Sequence, residues 1–141
     1  MKNYRHSEAD EWKRAKKKTS VRVKQVALST LRRKLDKLFS VWIRKRDADE
    51  HGMGRCITCN QWRLLQCGHF VRRQHTAGRW VAHNAHGQCA GCNIRGCELE
   101  HYEAIIKLYG IDEARRIRAL KHQTVKFQRQ DLLDLILKYS A

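Results

Sequence analysis

Apolar residues recur along the chain in more than one rhythm, and each rhythm predicts an element. From residue 8 to about 48 the chain reads as helix. Leu28, Leu31, Leu35, Leu38 and Trp42 fall three or four residues apart, with Phe39 and Ile43 beside them, which gathers them on one helical face. Val21 to Lys24 is slightly β-branched; Arg32, Arg33, Lys34, Lys37, Arg44, Lys45 and Arg46 fill the other faces. Such a stripe reads as core or as a contact between two copies. The helix is expected to stop at His51-Gly52-Met53-Gly54, where two glycines favour a turn.

The rhythm then shortens. Trp62, Leu64 and Leu65, then Phe70 and Val71, then Trp80 and Val81 alternate with polar stretches, predicting a knuckle and a β-hairpin with Thr76-Ala77-Gly78 near its turn. From about Cys89 a helix is expected with Tyr102, Ile105, Ile106 and Tyr109 on its apolar face and Gly110 ending it. Ile111 to Leu120 predicts a short helix with Asp112 and Glu113 in its first turn. Residues 128–139 predict an amphipathic one through Leu132, Leu133, Leu135, Ile136 and Tyr139. The expected architecture is α+β: a basic helical arm and possible dimerisation helix (1–50), a small ββα core (51–110) and a helical C-terminal extension (111–141).

Charge narrows the function. The 141 residues carry 30 Lys and Arg against 14 Asp and Glu, a formal net charge of +16. A surface so positive repels itself and suits a polyanionic partner, nucleic acid first. The excess is uneven. Residues 1–50 hold 16 basic and 7 acidic side chains, residues 98–141 hold 8 and 7, and residues 51–97 hold six Arg and no acid at all. The phosphates are therefore expected in the middle third. No run approaches the ~18 apolar residues that span a bilayer, and Met1 to Arg5 lacks the apolar stretch of a secretion signal. A membrane partner is not expected, and a cytoplasmic setting with reduced thiols is.

Reduced thiols make metal a better reading of six Cys than disulfides. Cys56-Ile-Thr-Cys59 and Cys89-Ala-Gly-Cys92 are two C-x-x-C pairs with 29 residues between them. Each pair offers two thiolates from a single turn, and two pairs complete a tetrahedral four-cysteine zinc site. With no open position, that Zn2+ would be structural and would supply folding energy to a small segment. A redox C-x-x-C would need a thioredoxin-like βαβ context, which is absent. Cys67 and Cys97 read as small buried residues.

Between the pairs stand Cys67-Gly68-His69-Phe70-Val71 and Asn84-Ala85-His86-Gly87-Gln88, and Asn93 follows the last cysteine. This constellation resembles the HNH signature. A four-cysteine zinc followed at once by Asn looks like phage endonuclease VII, and residues 34–110 are closer still to the phage NinG (Rap) recombination endonucleases. The resemblance implies a metal-dependent endonuclease nicking branched DNA, such as Holliday junctions or D-loops, in the bacterial host's cytoplasm. It implies His69 as general base, a role suited to a side chain titrating near neutrality. It implies Asn84, on the second strand, orienting the histidine, and Asn93 as ligand of a catalytic Mg2+ or Mn2+.

The chain departs from the family pattern where an Asp normally precedes the histidine. Here stand Gln66, Cys67 and Gly68. Glu98 or Glu100 could supply the carboxylate, Cys67 could favour a softer metal, or the protein could bind DNA and cut poorly. His86 reads as a packing residue or a second donor in the site; His75 and His83 read as exposed. Arg72, Arg73, Arg79 and Arg95 read as phosphate contacts through forked guanidinium bonds. Lys16, Lys17 and Lys18 read as part of a DNA-contacting or merely solvating arm. Paired nicking of a junction would need a homodimer, with the Leu28–Trp42 stripe as its interface. The alternative from another class is a non-catalytic, zinc-dependent nucleic-acid-binding accessory protein, which the missing acid favours.

Overall fold

The computed structural model describes residues 25–141. The arm's Lys16, Lys17 and Lys18 lie outside the described residues. Within them the chain runs α1 (Leu28–Asp47), β1 (Met53–Arg55), β2 (Trp62–His69), β3 (Ala85–Cys89), α2 (Ala90–Arg95), α3 (Glu98–Tyr109), α4 (Ile111–Ala119) and α5 (Arg129–Ser140). Short 3-10 turns occupy Thr76–Gly78, Ala82–Asn84 and Leu120–His122. The class is mixed α+β.

The strands form one antiparallel sheet in the order β1-β2-β3. Arg55 faces Trp62 across the first pair, and His69 faces Ala85 at the end of the second. The hairpin expected between the cysteine pairs is present, but its connection is long and irregular rather than a tight turn. Residues 70–84 hold two 3-10 turns, and Thr76-Ala77-Gly78 is one of them. Close strand pairing accounts for Gly68: a Cβ there would overlap the Gln88 side chain on β3.

The apolar stripe of α1 is core. Leu31, Leu35, Phe39 and Ile43 are buried against Trp80, Ala85, Leu132 and Tyr139, with Leu38 and Trp42 packed at the margin. Each such side chain contributes on the order of 1.5–3 kcal/mol by leaving water. The stripe expected to serve as a possible dimer interface is thus covered by α5 of the same chain. The three expected segments, 1–50, 51–110 and 111–141, also contribute to one common core. Among the described residues the helix runs from Leu28 to Asp47, ending earlier than the glycines, and the part of the expected helix before residue 25 lies outside them. Arg44, Lys45 and Arg46 occupy its last turn, where positive charge complements the helix dipole.

The single helix expected from Cys89 is two. Gly96 (φ 87°) and Cys97 (φ 29°) both take left-handed backbone, a conformation that glycine adopts freely and cysteine does not. The chain turns there, and α3 starts afresh at Glu98. A second cluster (Ala77, Ile105, Ala114, Ile117, Leu120) ties α3 and α4 to the 70–84 connection.

Candidate functional site

Four cysteines meet where β1, β2 and α2 converge. The Sγ atoms of Cys56, Cys59, Cys89 and Cys92 all lie within 4.8 Å of one another, and those of Cys59 and Cys89 are 3.9 Å apart. Tetrahedral bonds of about 2.3 Å impose a sulfur–sulfur separation of about 3.8 Å, so the set fits one ion. The first pair sits in the turn leading into β2; the second joins the end of β3 to the start of α2. Burial works against ionising Cys56, yet backbone N–H groups, that of Cys89 at 3.3 Å among them, bring its thiol down to about 6. By their spacing the four cysteines can hold a metal ion. Arg95 Nη2 lies 3.9 Å from Cys92 Sγ, so its charge is placed over this cluster.

A cleft of about 530 Å³ opens beside it, lined among others by His69, Asn93, Glu98, Asp36, Arg72 and Arg73. Four elements converge: the end of β2, the helices α2 and α3, and the middle of α1. His69 Nε2 lies 2.9 Å from the carbonyl oxygen of Arg79. A carbonyl only accepts, so Nε2 carries the proton and Nδ1 keeps its lone pair. Burial holds the imidazole below its ordinary 6.5, and the positive charges of Arg73 and Arg79 push the same way. The Arg79 carbonyl bond and Asp36 oppose them. Phe39 of α1 packs against the ring at 5.7 Å between centroids.

A clamp holds that carbonyl in place. Asp36 accepts from Arg79 Nε at 2.9 Å, from Arg79 Nη2 at 2.6 Å and from Trp80 Nε1 at 2.9 Å. Arg79, expected to contact phosphate, is instead spent on this bidentate pair. Asn84 departs from expectation as well. Fully buried, its amide accepts from the Val71 N–H and donates to the carbonyls of Val71 and Gly78. It staples the 70–84 connection rather than bonding the His69 ring, and it sits in a 3-10 turn just before β3 rather than on the strand. Arg46 reinforces that turn through the carbonyls of Ala82 and Ala85, at 3.0 and 2.8 Å.

Asn93 projects from α2 into the cleft and donates Nδ2 to Gln66 Oε1 at 3.0 Å, which leaves its carbonyl oxygen available. Glu98 lines the same cleft and Glu100 does not. Among the described residues Glu98 makes no ion pair, whereas the other cleft carboxylate, Asp36, is held by Arg79 and Trp80. Burial pushes the Cys67 thiol up to about 12 against the nearby arginines. The free thiol therefore stays protonated near neutrality. His86 lies away from the cleft, buried, with Nδ1 3.0 Å from His101 Nε2 and Nε2 3.2 Å from the Tyr109 hydroxyl. His83 stacks on Tyr109 and bonds Glu113 at 2.8 Å.

Sequence reasoning missed Asp36 and Gln66. Asp36 stands 43 residues before its partner Arg79, and nothing local marks it. Gln66 had a signal: strand alternation sets it on the face of β2 that carries Trp62 and Leu64. The arginines that remain open to a polyanion at the cleft are Arg72 and Arg73, both exposed.

Fold and site together define a basic α+β protein with a four-cysteine cluster able to hold a metal ion beside a histidine cleft. Among the described residues no helix is long and apolar enough to cross a membrane. A family model described as Bacteriophage Lambda NinG protein matches residues 1–141. The chain belongs to the NinG family, a phage family associated with recombination. No curated protein and no solved structure matches it.

Proposed function

We propose that this protein is an HNH-type, metal-dependent DNA endonuclease that nicks branched recombination intermediates, its four cysteines holding a structural Zn2+. One observation carries the reading. A histidine whose proton is fixed on Nε2 shares a cleft with an amide oxygen, an uncommitted carboxylate and two open arginines. Phosphodiester hydrolysis can use each of these: a base, two metal-ligating oxygens and cations for the flanking phosphates.

Arg72 and Arg73 bind the phosphates flanking the scissile bond. His69 Nδ1 takes a proton from a water whose oxygen attacks phosphorus; the P–O bond opposite breaks, and the departing oxygen takes a proton from solvent. Asp36, through Arg79, holds the ring in the orientation that keeps Nδ1 toward the cleft. Asn93 Oδ1 and Glu98 are the residues that would hold a divalent cation, and oxygen donors of this kind suit Mg2+ or Mn2+. When bound, such an ion neutralises charge developing on the phosphate and the departing oxygen. Glu98 thereby replaces the Asp that the resemblance leads one to expect before His69.

The branched substrate rests on the family's association with recombination. One observation favours a second reading, a DNA-binding module that does not cut: residues 51–97 contain no carboxylate. The deciding experiment incubates zinc-loaded protein with a labelled four-way junction and a matched linear duplex, in Mg2+, Mn2+ or EDTA. The nuclease reading expects metal-dependent nicking of the junction in preference to the duplex. Tight binding of both with no product in either metal establishes the module instead.

A further inference from the structure

The outer face of β2 is unaccounted for by the cleft alone. Side chains two apart on a strand share a face, so Trp62, Leu64 and Gln66 form one row. Cross-strand register adds Arg55 beside Trp62 and Met53 beside Leu64. Trp62 is 53% and Leu64 63% exposed, a large apolar pair left in water on a short sheet. The row is continuous with the catalytic cleft. Leu64 and Gln66 line a groove against Val41, Arg44 and Lys45 of α1, and Gln66 also lines the cleft, where it holds Asn93.

We propose that this face is the track of a single, unpaired DNA strand, with Trp62 stacking one of its bases while the phosphates lead along β2 toward His69. Aromatic rings accept any base on its π-face, and flanking cations carry the backbone. Arg55, Arg44 and Lys45 supply that charge, and the segment from 51 to 97 holds six Arg without an acid. Two carboxylates border the groove. Asp49 Oδ1 is occupied by the backbone N–H groups of His51 and Met53, both at 2.9 Å, and Glu50 lies 3.4 Å from His51. Strand rise of about 3.3 Å per residue sets Trp62 about 13 Å from Gln66, a span of a few nucleotides. Charge chooses this occupant over a second copy of the chain, whose own +16 would be brought against it.

The proposal rests on the nuclease reading only for the direction of the track, and its test is independent of cutting. Full-length, zinc-loaded protein carrying His69→Ala, so that nothing is cleaved, is titrated with a fluorescent single-stranded oligonucleotide and with the corresponding duplex. Trp62→Ala in that background is expected to weaken single-strand binding about tenfold, the scale of one lost stacking contact, with duplex affinity nearly unchanged. Trp62→Phe is expected to restore most of it. Zinc content and circular dichroism verify that the variants fold. Equal single-strand affinity with and without Trp62, or an equal loss on duplex, overturns the proposal. A change of oligomeric state in Trp62→Ala with DNA binding intact also overturns it, in favour of a contact between copies. Failure of the wild-type protein to nick any DNA would sink the nuclease reading and leave this one standing.

Discussion

At the scale of the residue, the site depends on which atoms are already occupied. Asp36 has both carboxylate oxygens bonded, Asn93 has its amide nitrogen bonded and its oxygen open, and Glu98 has neither oxygen in an ion pair. In the proposed mechanism Glu98 is therefore the carboxylate that would face a cation. Glu98→Gln keeps the size and removes the charge. It is expected to weaken Mn2+ binding, measured by isothermal titration on the zinc-loaded protein, by roughly tenfold or more, with the melting temperature nearly unchanged. Unaltered Mn2+ affinity would remove Glu98 from the site. The sequence made part of this legible. His69, Asn93 and the four cysteines stand out because their spacing is local, and Glu98 follows within the same stretch. The role of Asn84 was not legible, because its three bonds reach Val71 and Gly78 through an irregular loop whose path no periodicity encodes.

At the scale of the element, α1 does two things that its sequence announces unequally. Its apolar stripe is plain in the spacing, but the partner is not: nothing in residues 28–43 says that α5, about 90 residues later, covers it. Its polar face carries Asp36, which grips Arg79 and Trp80 and so fixes the carbonyl that holds His69. Asp36→Asn is expected to lower the cleavage rate while leaving DNA affinity in place. It also has a signature that loosened packing alone would not give. His69 acts as a base only when neutral, and its affinity for protons is already held below 6.5 by burial. Activity is therefore expected to fall off only below pH 6.5. Asp36 is a negative charge that raises His69 toward its ordinary value, so its removal shifts the acid limb to lower pH. A limb that stays put, or moves up, contradicts the clamp.

At the scale of the whole molecule, a small sheet is held between two helical clusters and a four-cysteine site. Around the cysteines themselves the core is small, its buried set being Cys56, Leu65 and Cys92. Removal of the metal with a strong chelator is expected to abolish the cooperative thermal transition, and zinc to restore it. A transition unchanged after the metal is stripped would mean that the cysteines do not hold the fold. Acid acts on a different part. Burial depresses His86 to about 3 and His101 to about 4, with His86 Nδ1 3.0 Å from His101 Nε2. The unfolded chain takes up both protons near 6.5, the folded chain only far below. Their contribution is whole above pH 6.5 and is lost progressively as pH falls toward 4. The urea midpoint is expected to be lower at pH 5 than at pH 7.5, and an identical midpoint would place the two histidines in solvent.

The central claim is that His69, with its proton pinned on Nε2, is the base of a phosphodiester hydrolysis. The most direct test is the single-turnover rate of nicking on a four-way junction in Mn2+, measured for the wild type and His69→Ala at saturating protein, with affinity read on the same substrate. With His69 as the base, the variant's rate is expected to be lower by about a hundredfold or more, the scale of general-base catalysis, at unchanged affinity. A His69→Ala protein that nicks as fast as the wild type would contradict it.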